Sequence, residues 1–251
     1  MEHFGERMKN YEKSISHTLP RNFPIIMRID GRAFHTFTQD LRKPFDTRFI
    51  EMMNFVGIEI CKEIPYVRVA YLQSDEINLL LYQEIGQESW FNNKIEKMTS
   101  ISASLATAYA MMWKYEHDFK PHTIITFDCR VFIVPLFDVI NYFIWRQSDW
   151  ERNSLNMLAQ KYYTQQEIQN KKKEELHELI FTAGDNWASL PTSLKNGRCI
   201  IRKEYTKHVE NPYFSGEVIR SKWIVDKNTP SFSIERDYIQ SKIPTYEIET
   251  D

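Results

Sequence analysis

Two strand-like runs, Tyr66 to Leu72 and Ile77 to Tyr82, are separated by only four residues, Gln73-Ser74-Asp75-Glu76. That spacing predicts a hairpin. Its turn is acidic rather than glycine-rich, so the turn residues are candidates for chemistry. A third apolar run, Phe23 to Ile29, has Pro24 at its start and ends on the carboxylate Asp30, with Gly31 next. Asp46 is placed to cap a helix through about Glu63, where Phe49, Met52, Met53, Val56 and Ile60 recur at helical spacing. Ser89 to Trp113 reads as a second long helix whose Ser100–Ala110 part is small and apolar, suited to lying on a sheet. His122 to Phe127 and Val131 to Val134 read as strands around Asp128-Cys129-Arg130.

Residues 23 to 134 therefore follow the order β-α-β-β-α-β, the ferredoxin-like unit that polymerase palms also use. The expected fold class is α+β: a palm-like core over residues 1–135, with a helical and C-terminal extension over 136–251 packed on it as one compact unit. Met1 to Ser16 reads as a helix with Phe4, Met8 and Tyr11 on one face. Pro135 to Gln169 reads as one or two helices, and another starts at Lys171 and ends at Gly184. Asp185 to Lys207 reads as loop and a short strand, with Asn196-Gly197 as a turn, and Val218 to Val225 as a further strand.

The chain has 251 residues, of which 42% are hydrophobic and 26% charged, as expected of a soluble globular protein with a sizeable core. Only 7 glycines occur, which argues against a Gly-rich phosphate loop. The formal charge of −2 removes any global electrostatic case for nucleic acid, so RNA contact would need a local basic face. Cys61, Cys129 and Cys199 are far apart and odd in number, with no disulfide framework or zinc pair. No apolar run approaches the about 18 residues of a membrane span, and a cytoplasmic location is expected.

In this topology the end of the first strand and the turn between the middle strands lie close together, and they carry Asp30 and Asp75. Two carboxylates and a backbone carbonyl are hard oxygen ligands suited to Mg²⁺. On spacing alone, capping a turn or a helix is the favoured role of each aspartate over binding a metal. Glu76 adds an acid beside them or faces solvent. Arg28, Arg32 and Lys43 can pair with phosphates, though loop cations are usually solvated. His35 is a phosphate donor or a structural histidine. Lys94 and Lys97 share a helix face at i, i+3 and reach a triphosphate or lie in solvent. Arg146 and Lys161 are weaker candidates of the same kind.

Taken together, RIDGRAFHTFT (Arg28 to Thr38), KPFD (Lys43 to Asp46), AYLQSDEINLLL (Ala70 to Leu81), FDCR (Phe127 to Arg130) and WRQSD (Trp145 to Asp149) resemble the tRNA(His) guanylyltransferase superfamily of 3′-to-5′ polymerases. The resemblance covers residues 5 to 160 well and the C-terminal third poorly. It implies a palm-like fold and two Mg²⁺ ions held by Asp30, the Gly31 carbonyl and Asp75, with Glu76 beside them. It also implies nucleotide contacts from Lys43, Ser74 and His35, with Arg28, Arg32, Lys94, Lys97 and Asn153 as further nucleotide-binding positions. The implied chemistry is attack of a tRNA 5′-monophosphate on the α-phosphate of ATP, followed by displacement of AMP by the 3′-hydroxyl of an incoming NTP. GTP is the other candidate substrate. The resemblance also implies a homo-oligomer, a tetramer ahead of a dimer.

Two departures bear on substrate. Family members that add G to tRNA(His) carry H-I-N-N-L-Y-N after W-R-Q-x-D. Here the stretch is Glu151-Arg152-Asn153-Ser154-Leu155-Asn156-Met157, in which only Asn153 and Leu155 match. That fits the guanylyltransferase-like branch, which repairs truncated tRNA 5′ ends by templated addition. Two alternatives stand beside it: true tRNA(His) G addition, and a non-catalytic palm-fold RNA-binding protein. The second departure is Cys129 in place of the glycine of F-D-G-R.

Overall fold

The structure is a computed structural model and describes residues 3–244. Helix α1 (Phe4–Lys13) opens it; the first two residues of the helix expected from Met1 lie outside the described residues. No α1 side chain is buried, and Phe4, Met8 and Tyr11 are exposed. Then come β1 (Ile25–Gly31), the one-turn α2 (Phe34–Phe37), α3 (Thr47–Glu63), β2 (Val67–Gln73), β3 (Glu76–Leu81), α4 (Ile95–Glu116) and β4 (Phe127–Ile133). The chain continues through α5 (Val139–Ala159), α6 (Gln165–Ile168), α7 (Lys173–Thr182) and α8 (Thr192–Lys195). It closes with β5 (Arg198–Asn211), β6 (Phe214–Asp226) and α9 (Asp237–Gln240). The strands form one sheet in the order β4-β1-β3-β2-β5-β6, every pairing antiparallel. The first four are the ferredoxin-like unit expected, extended by a long hairpin.

Strand alternation gives the sheet two faces. Ile25, Met27, Ile29, Ile77, Leu79 and Leu81 point to one, where α3 and α4 cover them with Met52, Met53, Val56, Ile60, Met98, Ala106 and Ala110. Gly57 lets α3 lie close to the sheet here, because a Cβ on it would fall 2.5 Å from Ile200 Cδ1, which would have to move aside. The opposite face carries Ile26, Val69, Tyr71 and Leu80 under α5, together with Phe232, Ile239 and Ile243. A third cluster, Leu155, Leu158, Ile168, Leu176 and Ile180, joins α5 to α6 and α7. Among the described residues no helix is long and apolar enough to cross a membrane.

Asp46 is the N-cap of α3 as expected, its carboxylate accepting from the backbone of Arg48 at 2.9 Å and Phe49 at 3.2 Å. Several expectations are corrected. Residues 122–126 are loop, and Asp128-Cys129-Arg130 sits inside a single strand, not between two. Asp128 and Arg130 are simply the exposed set of an alternating strand, with Phe127, Cys129 and Val131 on its other face. Cys129 therefore occupies a ladder position opposite Ile29 and not a turn. The second long helix starts at Ile95, after a 3₁₀ turn at Trp90–Asn93. Asn196-Gly197 ends α8, with Gly197 at φ +76°, and makes no hairpin. The strand expected to be short runs 14 residues as β5. Residues 202–208 of β5 are largely exposed, so no buried periodicity marks them.

Candidate active site

The register places three rows of side chains across the α5-facing side of the sheet. The outermost is Asp128, Asp30, Glu76 and Gln73, one residue from each of β4, β1, β3 and β2. The next is Arg130, Arg28, Asn78 and Tyr71, and the third is Phe132, Ile26, Leu80 and Val69. An acidic row thus lies beside a basic row, with apolar packing behind. Directly opposed residues on one face stand about 4.5–5.5 Å apart at Cβ.

Asp75 joins the acidic row from the two-residue turn Ser74-Asp75, between the paired Gln73 and Glu76. Ser74 adopts φ +45°, a backbone setting usually left to Gly, Asn or Asp in such turns. Desolvation, against its own backbone hydrogen bond, pushes the Asp75 carboxyl up to about 6, and the charge of Asp30 adds to the rise. Desolvation also raises Asp30, followed by the charge of Glu76, while Arg28 opposes. These carboxylates are crowded enough to resist ionising together, and a divalent cation would relieve that crowding. Hard oxygens from Asp30 and Asp75 are the right donor type for Mg²⁺. Among the described residues no set of three His, Cys, Asp or Glu side chains is arranged to hold a metal. A site here would therefore draw on a backbone oxygen and water as well. Gly31 supplies a closely packed backbone at that point, since a Cβ on it would fall 2.3 Å from Phe34 Cδ2.

Glu76 is engaged elsewhere. Its two oxygens each accept from the Arg146 guanidinium of α5, Nε to Oε1 and Nη2 to Oε2, both at 2.7 Å. Gln73 Nε2 and Asn78 Nδ2 also donate to Oε1 at 2.7 Å. Arg146 continues to Asp149 at 3.1 Å, and its guanidinium lies 4.5 Å from the Trp145 ring centroid. The Arg28 guanidinium lies between acids, 3.8 Å from Asp30 Oδ2 and 3.9 Å from Glu76 Oε2. Its Nε is buried without a hydrogen-bond partner.

The other expected residues divide into groups. Arg32 follows β1, its backbone N–H bonded to the Thr126 carbonyl at 2.8 Å, and its side chain is exposed. His35 is exposed on α2. Lys120 secures that turn from below, donating to the Phe37 carbonyl at 2.8 Å and to Asp40 at 2.5 Å. Lys43 donates to the Thr38 carbonyl at 3.3 Å and precedes a cis bond to Pro44. Ser74 lines a pocket with Phe45, Asp46, Phe49, Trp150 and Arg198. Lys94 and Lys97 line a different cavity of about 630 Å³, shared with Lys9, Glu12 and Lys13 and holding none of the row's carboxylates. Asn153 is exposed on α5.

Asp128 and Arg130 of the rows are absent from the expected site because the sequence places Asp128-Cys129-Arg130 between two strands; the alternation of FDCRVFI is the available signal. Arg146, from its sequence a weaker candidate for phosphate contact, is buried and paired with Glu76 instead.

The profile of the family described as tRNAHis guanylyltransferase (Thg1) matches residues 5–135, just over half of the chain. A probable tRNA(His) guanylyltransferase of Dictyostelium discoideum is 31% identical over 215 residues, covering 79% of this chain and 82% of the relative. A bacterial Thg1-like protein in complex with ATP superposes with TM-score 0.86 at 35% identity, over 96% of this chain and 99% of the other. A bacterial Thg1-like protein in complex with GTP superposes with TM-score 0.75 at 34% identity, over 95% and 97%. With the palm-like sheet, the acidic row and these matches together, the chain belongs to the tRNAHis guanylyltransferase family of nucleotidyltransferases.

Proposed function

We propose that the protein is a template-dependent 3′-to-5′ nucleotidyltransferase that repairs truncated tRNA 5′ ends. The observation that carries the choice of substrate is Glu151. It stands on α5 where tRNA(His)-specific members have histidine, and its Oε1 is tied to Lys173 Nζ at 2.5 Å. A carboxylate committed to a lysine does not offer the donor and ring face of a histidine. The ATP- and GTP-bound relatives support nucleoside triphosphates as substrates.

Asp30, the Gly31 carbonyl and Asp75 are the groups that would hold Mg²⁺, which supplies charge neutralisation at phosphoryl oxygens and activation of the attacking oxygen. Glu76 fixes the inner edge of the row through Arg146. Arg28, half-buried beside both acids, is positioned to meet phosphate oxygens. Ser74, Lys43, His35 and Arg32 contact the activating nucleotide. Lys94 and Lys97, in their own basic cavity, meet a second polyphosphate, and Asn153 meets nucleotide from α5. In the first transfer the tRNA 5′-phosphate attacks the ATP α-phosphate and pyrophosphate leaves. In the second, the 3′-hydroxyl of the incoming NTP attacks the activated phosphate and AMP leaves. Each gains from in-line positioning without a covalent enzyme intermediate. A net charge of −2 gives one chain little hold on a whole tRNA, and a homo-oligomer, a tetramer in this reading, would pool its basic patches.

The test is incubation with 5′-truncated tRNA, ATP, NTPs and Mg²⁺, with intact tRNA(His) lacking its extra G as the other arm. Watson–Crick-matched addition to the truncated RNA is expected. Strong non-templated G addition to tRNA(His) with none to the truncated RNA would overturn the repair reading. Asp30→Ala and Asp75→Ala are each expected to remain folded and lose addition.

A further inference from the structure

The acidic row is open at one end only. Glu76 and Gln73, on β3 and β2, are buried, Asp30 on β1 is half-buried, and Asp128 on the edge strand β4 is exposed. The basic row behind it follows the same gradient: Tyr71 and Asn78 are buried, Arg28 is half-buried and Arg130 is exposed. Along these rows β4 and the flank of β1 therefore form an uncovered shelf beside α5, bearing Asp128, Asp30, Arg28 and Arg130.

Trp145 stands on the flank of α5 that borders this shelf. The helix crosses the rows from back to front. The Tyr142 ring meets Phe132 of the third row at 5.7 Å, and its hydroxyl donates to Asn78 Oδ1 of the second at 2.6 Å. One turn on, Arg146 binds Glu76 of the first. Trp145 lies between them, edge-on to the Tyr142 ring at 5.8 Å and with the Arg146 guanidinium 4.5 Å from its own ring centroid. A lone exposed apolar side chain is ordinary on a protein surface and carries no meaning by itself. Trp145 differs because its ring is held by residues that are themselves bonded into the rows, and yet it is 56% exposed. It is an oriented aromatic surface beside charges of both signs. An apolar protein partner covering it would have to desolvate the shelf as well. A nucleotide brings a flat face for the indole and phosphate oxygens for the arginines.

In-line transfer sets the attacking and leaving oxygens on opposite sides of the phosphorus. With the activating nucleotide at Ser74, on the β2–β3 side of the row, the attacking RNA phosphate approaches from the β4 side. We infer that Trp145 is a stacking residue for the RNA: the 5′-terminal base lies on its indole, and the next phosphate of the strand lies over Arg130. This rests on the nucleotidyltransferase reading above and adds a contact that holds the RNA end in place while its 5′-phosphate reaches the metal ligands. Every base has a flat face, so such a platform accepts 5′ ends of any sequence.

The experiment measures equilibrium binding of a 5′-truncated tRNA, and of the same RNA with an abasic 5′-terminal residue, across a salt series and without ATP. Wild type, Trp145→Ala and Trp145→Phe are compared, together with KM for RNA and for ATP and thermal unfolding. Wild type is expected to bind the abasic RNA roughly 5- to 150-fold more weakly than the intact RNA, the span found for one base on an aromatic ring. Trp145→Ala is expected to lose that factor on intact RNA and to bind both RNAs alike. Its slope of log affinity against log salt is expected to match that of wild type, because no phosphate contact is removed. KM for RNA is expected to rise with KM for ATP unchanged, and Trp145→Phe is expected to keep part of the discrimination. The melting temperature is expected to stay near that of wild type, since the ring is largely in solvent. Equal discrimination against the abasic RNA in wild type and Trp145→Ala would overturn the inference, because a ring that only supports Arg146 cannot sense a missing base. A wild type indifferent to the missing base would overturn it as well, and so would a rise in KM confined to ATP. Wild type that discriminates in binding but never joins a nucleotide to the RNA would instead sink the nucleotidyltransferase reading and leave the stacking result standing.

Discussion

Arg146→Met tests the connection between α5 and the acidic row. Both partners are nearly sequestered, with side-chain exposures of 8% for Arg146 and 9% for Glu76, and both carboxylate oxygens sit on the guanidinium at 2.7 Å. Removing one member of a buried, hydrogen-bonded ion pair costs about 3–5 kcal/mol, because the survivor keeps its charge in a poorly solvating place. The lower end applies here. Glu76 Oε1 would retain Gln73 and Asn78, and the Arg28 Nε, 3.9 Å from Oε2 and otherwise unbonded, could close in. A loss of about 3 kcal/mol is a substantial part of the roughly 5–15 kcal/mol that holds a domain together. It corresponds to a fall of about 6–12 °C in melting temperature at this chain length. Urea unfolding followed by circular dichroism is the assay, with the midpoint shifting and the slope unchanged. The double variant Glu76→Gln/Arg146→Met has no orphaned charge and is expected to recover most of the loss. A cost below about 1 kcal/mol for Arg146→Met, or a double variant no more stable than the single one, would refute the reasoning.

Two further outcomes follow from the site's scaffold. Gly31→Ala would place a methyl 2.3 Å from a Phe34 ring hemmed in by Phe37, Phe49 and Phe127, so a loss of about 1–3 kcal/mol and of nucleotide addition is expected; a melting temperature within 1 °C of wild type, to order of magnitude the scatter of such a measurement, would contradict it. Asp46→Ala removes the α3 N-cap and a bond to the Arg42 N–H in the loop carrying Lys43; about 1 kcal/mol of stability should go, and KM for ATP should rise with little change in kcat, both read by denaturation and steady-state kinetics.

The palm-like half of the fold was legible because its signals are local. Helical periodicity in α3, an N-cap at Asp46 and a tight hairpin around Ser74-Asp75 each depend on neighbours a few residues away. Where polar residues sat inside a strand, as in Asp128-Cys129-Arg130, local reading took them for a break. Their alternation made sense only once the strand lay against Asp30 and Arg28. The long β5–β6 hairpin was missed for a related reason, since residues 202–208 of β5 are mostly solvent-facing and carry no apolar pattern.

By itself the sequence determined the order of elements in the palm-like half, the glycine after Asp30 and the acids of the turn, because chain order and backbone preference are written residue by residue. Only the tertiary structure decided which charges meet. Register across four strands brought Asp128, Asp30 and Glu76 into one row, and packing of α5 on that face delivered Arg146 to Glu76 across 70 positions. The same packing left Trp145 exposed beside that row. Pairing and desolvation depend on distance in space, and nothing in the spacing along the chain encodes that distance directly.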